Sequence, residues 1–132
     1  MKLALVIAAL AVGIFLVLRA AKQESGFLWM SQAECARDFV RYSASPAVER
    51  FHRDFGRWPT SKEGLSVLLH APEKDAARWR GPYLRGEEIP KDPWGREYRY
   101  RIPTNNAGFA YDVFSLGADG KISDDDISST SK

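Results

Sequence analysis

The sequence predicts an α+β protein in which a long amino-terminal helix packs on a small antiparallel sheet. Apolar side chains recur at helical spacing over residues 29–55, and two alternating segments follow at 97–102 and 109–114, with turn residues between them. The 132 residues allow one domain of ordinary size. The single cysteine excludes an intramolecular disulfide framework and a Cys-rich zinc module.

The chain begins with an apolar segment, Leu3 to Leu18, that contains no polar side chain. Extended through Ala21 it forms about 28 Å of helix, close to the ~30 Å hydrocarbon core of a bilayer. We therefore expect a transmembrane anchor over residues 1–22, with the guanidinium of Arg19 reaching the headgroups. The alternative is a cleaved secretory signal that starts with Lys2 and ends near Ala20-Ala21.

The small positive net charge belongs to this first segment. Of 19 Lys and Arg residues, Lys2, Arg19 and Lys22 precede the first acidic residue, which leaves 16 basic groups against 17 acidic ones in the remainder. Nucleic-acid binding needs a clustered basic face. The nearly neutral remainder excludes nucleic acid as a partner.

Residues 23–46 are predicted to form a helical stalk that leads into a globular domain over residues 47–132. The apolar stripe includes Trp29, Val40 and Phe51 and continues to Gly56. It passes through Pro46, which removes a backbone donor, so we expect a kink or a break there. Cys35 falls within this helix and is expected to be a small buried residue.

A second helix is predicted over Ser61 to His70, because Thr60 and Glu63 have the spacing of a capping box. Its expected buried side chains are Leu65, Leu68 and Leu69. Residues 73–97 are rich in Pro and Gly turns and are expected to form an ordered loop. The alternating segments 97–102 and 109–114 are then predicted to pair as an antiparallel hairpin.

The sequence gives little reason to expect an enzyme. Its two histidines, His52 and His70, have no paired cysteine or metal-ligand spacing, and no nucleophile elbow, Walker loop or dinucleotide fingerprint is present. The aromatic residues beside Pro or Gly, such as Trp58 and Trp94, offer either a platform for a sugar or peptide, or the core of a small domain. A core is the simpler interpretation.

The acidic segment near the carboxy terminus is the best candidate for chemistry. Asp124, Asp125 and Asp126 are consecutive, and Asp119 precedes them in a Gly-containing turn. Carboxylates mixed with backbone carbonyls in a flexible loop are the ligands that Ca²⁺ selects. A bound cation would also relieve the repulsion between like charges. From composition alone, a solvated acidic tail is the simpler interpretation.

Five ordered motifs over residues 47–127 resemble a known family. They are Phe51-His-Arg-Asp-Phe-Gly-Arg-Trp-Pro-Thr60, Glu63-Gly-Leu65, Trp79-Arg-Gly-Pro-Tyr-Leu84, Pro90-Lys-Asp-Pro-Trp-Gly95 and Asp112-Val-Phe-Ser-Leu-Gly-Ala-Asp-Gly120. Together they resemble the major pseudopilins (G-type) of the type II secretion system.

This resemblance implies a pilin-like fold and a structural role. Family members polymerise through the long helix into a periplasmic pseudopilus that helps drive folded proteins across the outer membrane. The expected location is the inner membrane, crossed once, with the carboxy-terminal domain in the periplasm. The expected partners are other pseudopilins or further copies of this chain, and components of the secretion apparatus. A second hypothesis is an exported or membrane-anchored binding module that keeps the domain and does not polymerise.

The resemblance also implies a Ca²⁺ site in the carboxy-terminal loop. By position, Asp119 matches the aspartate of the family's Ala-Asp-Gly motif, and Asp125-Asp126 match its acidic pair. The carbonyl of Leu116 is a further candidate ligand, and Asp124 is a weaker one.

The amino-terminal pattern differs from that of the family. Pseudopilins have a short basic leader that ends in Gly, followed by an apolar helix with a glutamate near its start. Here the apolar run contains no glutamate, Gly26-Phe27 follows that run, and Ser31 stands where the glutamate would be. We therefore expect leader processing and filament docking to differ from the family's.

Overall fold

The computed structural model describes residues 30–102 and 108–131. The helices and strands below belong to one compact unit, which begins at Gln32. The predicted anchor over residues 1–22 and the position of Trp29 lie outside the described residues. In the described part of the chain, no helix is long and apolar enough to cross a membrane. The domain boundary at residue 46 stays a prediction.

The predicted long helix forms three consecutive segments: α1 (Gln32–Asp38), a π-helical segment (Phe39–Ala44) and α2 (Ser45–Phe55). The sequence predicts a kink or a break at Pro46, and the structure has an irregularity directly before it, because π-helical turns precede α2, whose first turn contains Pro46. Both the amide and the hydroxyl of Ser45 donate to the carbonyl of Val40, the hydroxyl at 2.8 Å. The bond from the amide spans five residues, as in a π-helix, and the next residue, Pro46, has no amide hydrogen to continue the pattern.

The buried face of this helix matches the predicted apolar stripe. The buried members of the stripe are Ala36, Val40, Ala44, Ala47, Phe51 and Phe55, and Val48, which the stripe did not include, is buried beside them. The α2 helix ends at the predicted Gly56, whose amide donates to the carbonyl of His52 at 2.7 Å. The prediction for Cys35 is wrong, because its side chain is exposed. Cys35 directly precedes the fully buried Ala36, and neighbouring positions on a helix point about 100° apart.

The second predicted α-helix is also wrong, although its capping box forms. Residues 61–65 are turns, and a short 3₁₀ helix follows at Ser66–Leu68. The hydroxyl of Ser66 donates to the carbonyl of Glu63 at 2.7 Å and so competes with helical bonding. The segment is too short to be stable by itself, so packing decides its form, and Leu65, Leu68 and Leu69 are buried as predicted.

The predicted hairpin is confirmed, with shorter strands than the sequence pattern indicates. β1 (Arg99–Arg101) pairs antiparallel with β2 (Asp112–Ser115), and the register places Tyr100 opposite Val113. A third strand, β3 (Ile127–Ser128), pairs antiparallel with the other edge of β2. The sequence did not predict β3, because two residues in a polar tail carry no periodicity.

The helix and the sheet share one hydrophobic core. The α1 helix packs against β3, and the π-helical segment packs against β2. The aromatic residues are part of this packing, as the simpler interpretation expects. Trp79 meets Tyr83 edge to face with ring centroids 5.9 Å apart, and Trp58 stacks on His52 at 3.8 Å.

Candidate functional site

The acidic loop, residues 116–126, joins β2 to β3. Because these two strands are antiparallel neighbours, the loop must return the chain beside its own starting point. Asp119 and Asp125, six residues apart in sequence, are thereby brought close together. These two of the predicted site residues therefore lie together at one end of the sheet.

A buried contact fixes the start of the loop. The carboxylate of Asp92, which is 4% exposed, accepts the hydroxyl of Ser115 at 2.6 Å. The same hydroxyl oxygen accepts the amide of Gly117 at 3.2 Å. The other oxygen of Asp92 accepts the amides of Trp94 and Arg96 at 3.1 and 2.8 Å. Asp92 thus ties the turn at residues 92–96 to the end of β2.

Asp125 holds the first part of the loop through the main chain. One of its carboxylate oxygens, Oδ2, accepts the amides of Ala118 and Asp119 at 2.8 and 3.2 Å. Its other oxygen accepts the hydroxyl of Ser123. These hydrogen bonds, that of Ser123 above all, lower the pKa of Asp125. Gly117 adopts φ +62°, and a Cβ there would lie 2.6 Å from Oδ2 of Asp125, so only glycine fits.

Asp119 and Asp125 share one hydroxyl. Ser123 lies 3.1 Å from Oδ2 of Asp119 and also contacts Oδ1 of Asp125. A serine hydroxyl has one proton, so it can donate to only one of the two carboxylates at a time. The carboxylate that does not receive this proton keeps its negative charge without that donor, which favours a cation or a further hydrogen-bond donor between Asp119 and Asp125.

Asp126 has an unsatisfied oxygen. Its Oδ1 is buried and has no hydrogen-bond partner among the described residues. Burial raises the pKa of Asp126, and the carboxylates of Asp125 and Asp119 raise it further. An unpaired buried carboxylate oxygen is costly unless it gains a cation or a hydrogen-bond donor, or the carboxyl group is protonated.

The remaining two predicted ligands differ in accessibility. Asp124 is exposed. The side chain of Leu116 is buried, and its carbonyl accepts the amide of Gly120 at 3.2 Å, with a second lone pair remaining. Within residues 30–102 and 108–131, no three His, Cys, Asp or Glu side chains are grouped as a metal site. The donors are therefore of the right chemical class for Ca²⁺, and the orphaned Asp126 oxygen favours a cation, but the carboxylates are not gathered around one point.

The guanidinium of Arg96 occupies the carbonyl side of the loop. Its Nη1 donates to the carbonyl of Gly117 at 2.7 Å and its Nη2 to that of Ala118 at 3.1 Å. Gly120 adopts φ +70°, and a Cβ there would lie 2.6 Å from Nε of Arg96. Arg96 was not among the predicted site residues. Its position in the turn after Trp94-Gly95 gave no signal that it would reach a loop more than twenty residues away.

A second buried aspartate, Asp112 on β2, anchors the chain after the loop. It is fully buried, and its Oδ1 accepts the hydroxyls of Ser128 and Ser129 at 2.6 and 3.0 Å. Arg101 contacts the other oxygen at 2.7 Å. From the sequence, Asp112 was predicted only as part of a strand and of a family motif. An aspartate inside a strand of apolar neighbours was the available sign of a buried, paired charge.

Comparison with known proteins agrees with this architecture. The family model described as type II secretion system (T2SS), protein G matches residues 30–130. Among curated proteins, the type II secretion system core protein G of Klebsiella pneumoniae is 39% identical over 85 residues, which cover 61% of this chain and 58% of that protein. The protein of the same description from Vibrio cholerae serotype O1 is 36% identical over 77 residues, covering 57% of this chain and 50% of that one.

A solved structure resembles the fold. It is the crystal structure of the major pseudopilin from the type 2 secretion system of enterohaemorrhagic Escherichia coli. The TM-score is 0.57 at 24% identity, covering 75% of this chain and 82% of that chain. At this identity the likeness bears on the fold alone, and it confirms the predicted α+β, pilin-like class.

The chain spans about half to three fifths of the length of these two curated relatives. The family match nevertheless extends over most of the chain and includes α1, α2 and all three strands. This is a family of structural pseudopilins. The chain belongs to the type II secretion system protein G family.

Proposed function

We propose that this protein is a structural subunit or accessory of a type II secretion-type apparatus, which moves folded proteins across the outer membrane. The observation that carries the proposal is the family match over residues 30–130, which coincides with the helix-and-sheet unit. The proposed role is assembly and not catalysis. In keeping with this, His52 is stacked on Trp58, and His70 is exposed at the end of a turn.

The proposed location is the inner membrane, crossed once by the apolar run Leu3 to Leu18, with the folded domain in the periplasm. The length of that apolar run supports the proposed membrane crossing. The proposed partners are further copies of this chain or other pseudopilins. The helix supports this, because one face is buried in the core while Arg37, Arg41 and Tyr42 on its other faces are exposed.

A gene-deletion strain complemented with the full chain tests the proposal. Export of the organism's secreted proteins should fall in the deletion strain and return with the native chain. Leu10→Arg should fail to restore export, because a charge at the centre of the apolar run costs about 3 kcal/mol in a bilayer. Leu10→Val is the matched control and should restore it. Unchanged export in the deletion strain would refute a role in secretion.

Cross-linking in membranes tests the assembly itself. An amine-reactive cross-linker should produce a ladder in multiples of the 14.8 kDa chain, and the ladder should be lost with Leu10→Arg. The second candidate function is an exported or membrane-anchored binding module that does not polymerise, which the amino-terminal pattern favours. It predicts no ladder. The exported form also predicts a mature chain that begins near Ala21 to Gln23 in the soluble fraction.

We also propose that the acidic loop binds Ca²⁺ through Asp119, Asp125 and Asp126, with the carbonyl of Leu116. The shared hydroxyl of Ser123 and the unpartnered oxygen of Asp126 support this proposal. Bound Ca²⁺ would supply positive charge and accept several oxygen ligands at once. These residues would hold the return of the chain from β2 to β3, so the cation would stabilise the sheet edge.

Thermal unfolding of the full chain in a mild detergent tests the Ca²⁺ proposal. The native chain should melt at a higher temperature in CaCl₂ than in EGTA. Asp126→Ala and Asp119→Ala should each remove most of that difference. Asp124→Ala is the matched control, because Asp124 is exposed and is the weakest candidate ligand. Identical melting of the native chain in CaCl₂ and EGTA would refute Ca²⁺ binding.

A further inference from the structure

Two consecutive peptide groups of the acidic loop lie between opposite charges. In the peptide group that joins Gly117 to Ala118, the carbonyl accepts a hydrogen bond from the guanidinium of Arg96, and the amide donates one to the carboxylate of Asp125. In the next peptide group, from Ala118 to Asp119, the carbonyl again accepts a hydrogen bond from Arg96, and the amide again donates one to Asp125. Arg96 and Asp125 therefore act on the same two peptides from opposite sides.

We propose that Arg96 and Asp125 form a clasp that closes the acidic loop without a metal ion. Each peptide dipole points its carbonyl at the guanidinium and its amide at the carboxylate, so each charge strengthens the other's hydrogen bonds through the peptide. The guanidinium is planar and presents donors in a fixed fork, which matches two successive carbonyls. A lysine ammonium at this position would not have that geometry.

The surroundings hold Arg96 in place for this role. Its amide and carbonyl are both bonded to Asp92, at 2.8 and 2.7 Å. Asp92 is in turn bonded to Ser115 at the end of β2. The approach of the Arg96 side chain depends on the missing side chain of Gly120. The clasp thus joins the turn at residues 92–96 to the loop through main-chain contacts at one end and a charged side chain at the other.

The clasp shares Asp125 with the Ca²⁺ site proposed above, but Arg96 binds only the carbonyls of Gly117 and Ala118, which are not proposed ligands, so variants of Arg96 separate the two proposals. It supplies a positive group inside the fold, on the carbonyl side of the loop. It therefore predicts that the loop stays closed in EGTA, whether or not the loop also binds Ca²⁺.

A double-mutant cycle in EGTA tests the clasp. The full chain in detergent is melted as native protein, Arg96→Met, Asp125→Asn and the double variant. Arg96→Met should lower Tm by about 5 °C. The double variant should lose clearly less than the sum of the two single losses, because both act on the same two peptides. Arg99→Met is the matched control and should shift Tm by at most about 1 °C, because Arg99 is exposed on β1.

Amide hydrogen exchange gives a local readout. Arg96→Met should speed exchange at Ala118 and Asp119 by about tenfold, although Arg96 touches neither amide. Arg96→Lys should restore only part of the protection. Exchange at Lys121, whose amide is bonded to Asp119 at 2.8 Å, serves as the internal comparison and should change less.

Different results would refute the Arg96–Asp125 clasp and the Ca²⁺ site. Equal Tm values for Arg96→Met and Arg99→Met, additive losses in the cycle, or unchanged exchange at Ala118 and Asp119 would overturn the clasp. Failure of Ca²⁺ to stabilise any variant would refute the metal site alone. The clasp would then still be judged by the measurements in EGTA.

Discussion

Arg101 and Asp112 lie directly opposite each other in the register of β1 and β2 and form an ion pair of 2.7 Å, in which Asp112 is fully buried. The guanidinium also lies over the ring of Phe114, 4.3 Å from its centroid. Two serines of the carboxy-terminal segment complete the shell of Asp112. One buried carboxylate thus joins all three strands of the sheet.

Removing Arg101 should be strongly destabilising. Arg101→Met leaves the buried charge of Asp112 with only hydroxyl partners, and loss of one partner of a buried pair costs about 3 kcal/mol. Urea unfolding followed by tryptophan fluorescence measures the change. Arg99→Met, on the same strand and exposed, should cost less than about 0.5 kcal/mol. Equal losses in the two variants would show that the pair contributes nothing specific.

The buried contact between Ser115 and Asp92 gives a second prediction. Ser115→Ala should lower the free energy of unfolding by about 2 kcal/mol, because it leaves both a carboxylate oxygen and the amide of Gly117 without this partner. Ser61→Ala is the comparison, since the hydroxyl of Ser61 bonds to Ile102 at an exposed position. Urea unfolding should separate the two variants, and a Ser115→Ala loss as small as that of Ser61→Ala would contradict the contact.

Glu63 makes the free energy of unfolding depend on pH. It accepts two bonds of 2.8 Å from Arg57 and bonds from the amide and hydroxyl of Thr60. These contacts, led by Arg57, lower the pKa of Glu63 from 4.5 to about 2. A carboxyl with a lowered pKa stabilises the fold above its ordinary pKa, and that contribution is lost as the pH falls from about 4.5 to about 2.

Glu63→Gln should therefore cost about 1–2 kcal/mol at pH 7, a value reduced by the partial exposure of Arg57. The difference from the native chain should shrink as the pH falls below 4.5 and vanish near 2. Thermal melts across this range measure it, with Glu97→Gln at an exposed position as the control. A difference that stays constant with pH would contradict this assignment.

The exposure of Cys35 can be tested by labelling. A maleimide should modify the native chain at a rate close to that of the urea-unfolded chain, because the thiol lies on the solvent side of α1. Cys35→Ser should take up no label. Modification that requires denaturant would show that the original expectation of a buried cysteine was right.

The sequence determined the features that depend on local periodicity. The helical stripe from Ala36 to Phe55, its irregularity before Pro46 and its end at Gly56 can all be inferred from spacing. The capping box of Thr60 and Glu63 forms as its four-residue signature predicts. The pairing of β1 with β2 also follows from alternation and from a turn of suitable composition.

Tertiary structure decided the features that depend on partners far away in sequence. Ser61 to His70 is not an α-helix, because burial of its leucines and the hydroxyl of Ser66 outweigh a weak local preference. The strand at Ile127–Ser128 exists because β2 offers it an open edge and the carboxylate of Asp112 accepts the hydroxyl of Ser128. Propensity over two residues is worth far less than such contacts.

For the acidic loop, the sequence by itself determined which carboxylates are concentrated there. Only the tertiary structure decided that Asp125 bonds the main chain, that an oxygen of Asp126 is left buried without a partner among the described residues, and that Arg96 reaches the loop from a separate turn. The physical reason is that charges and hydrogen bonds act over a few ångströms in space. Spacing along the chain reports such neighbours only within a single helix, strand or turn.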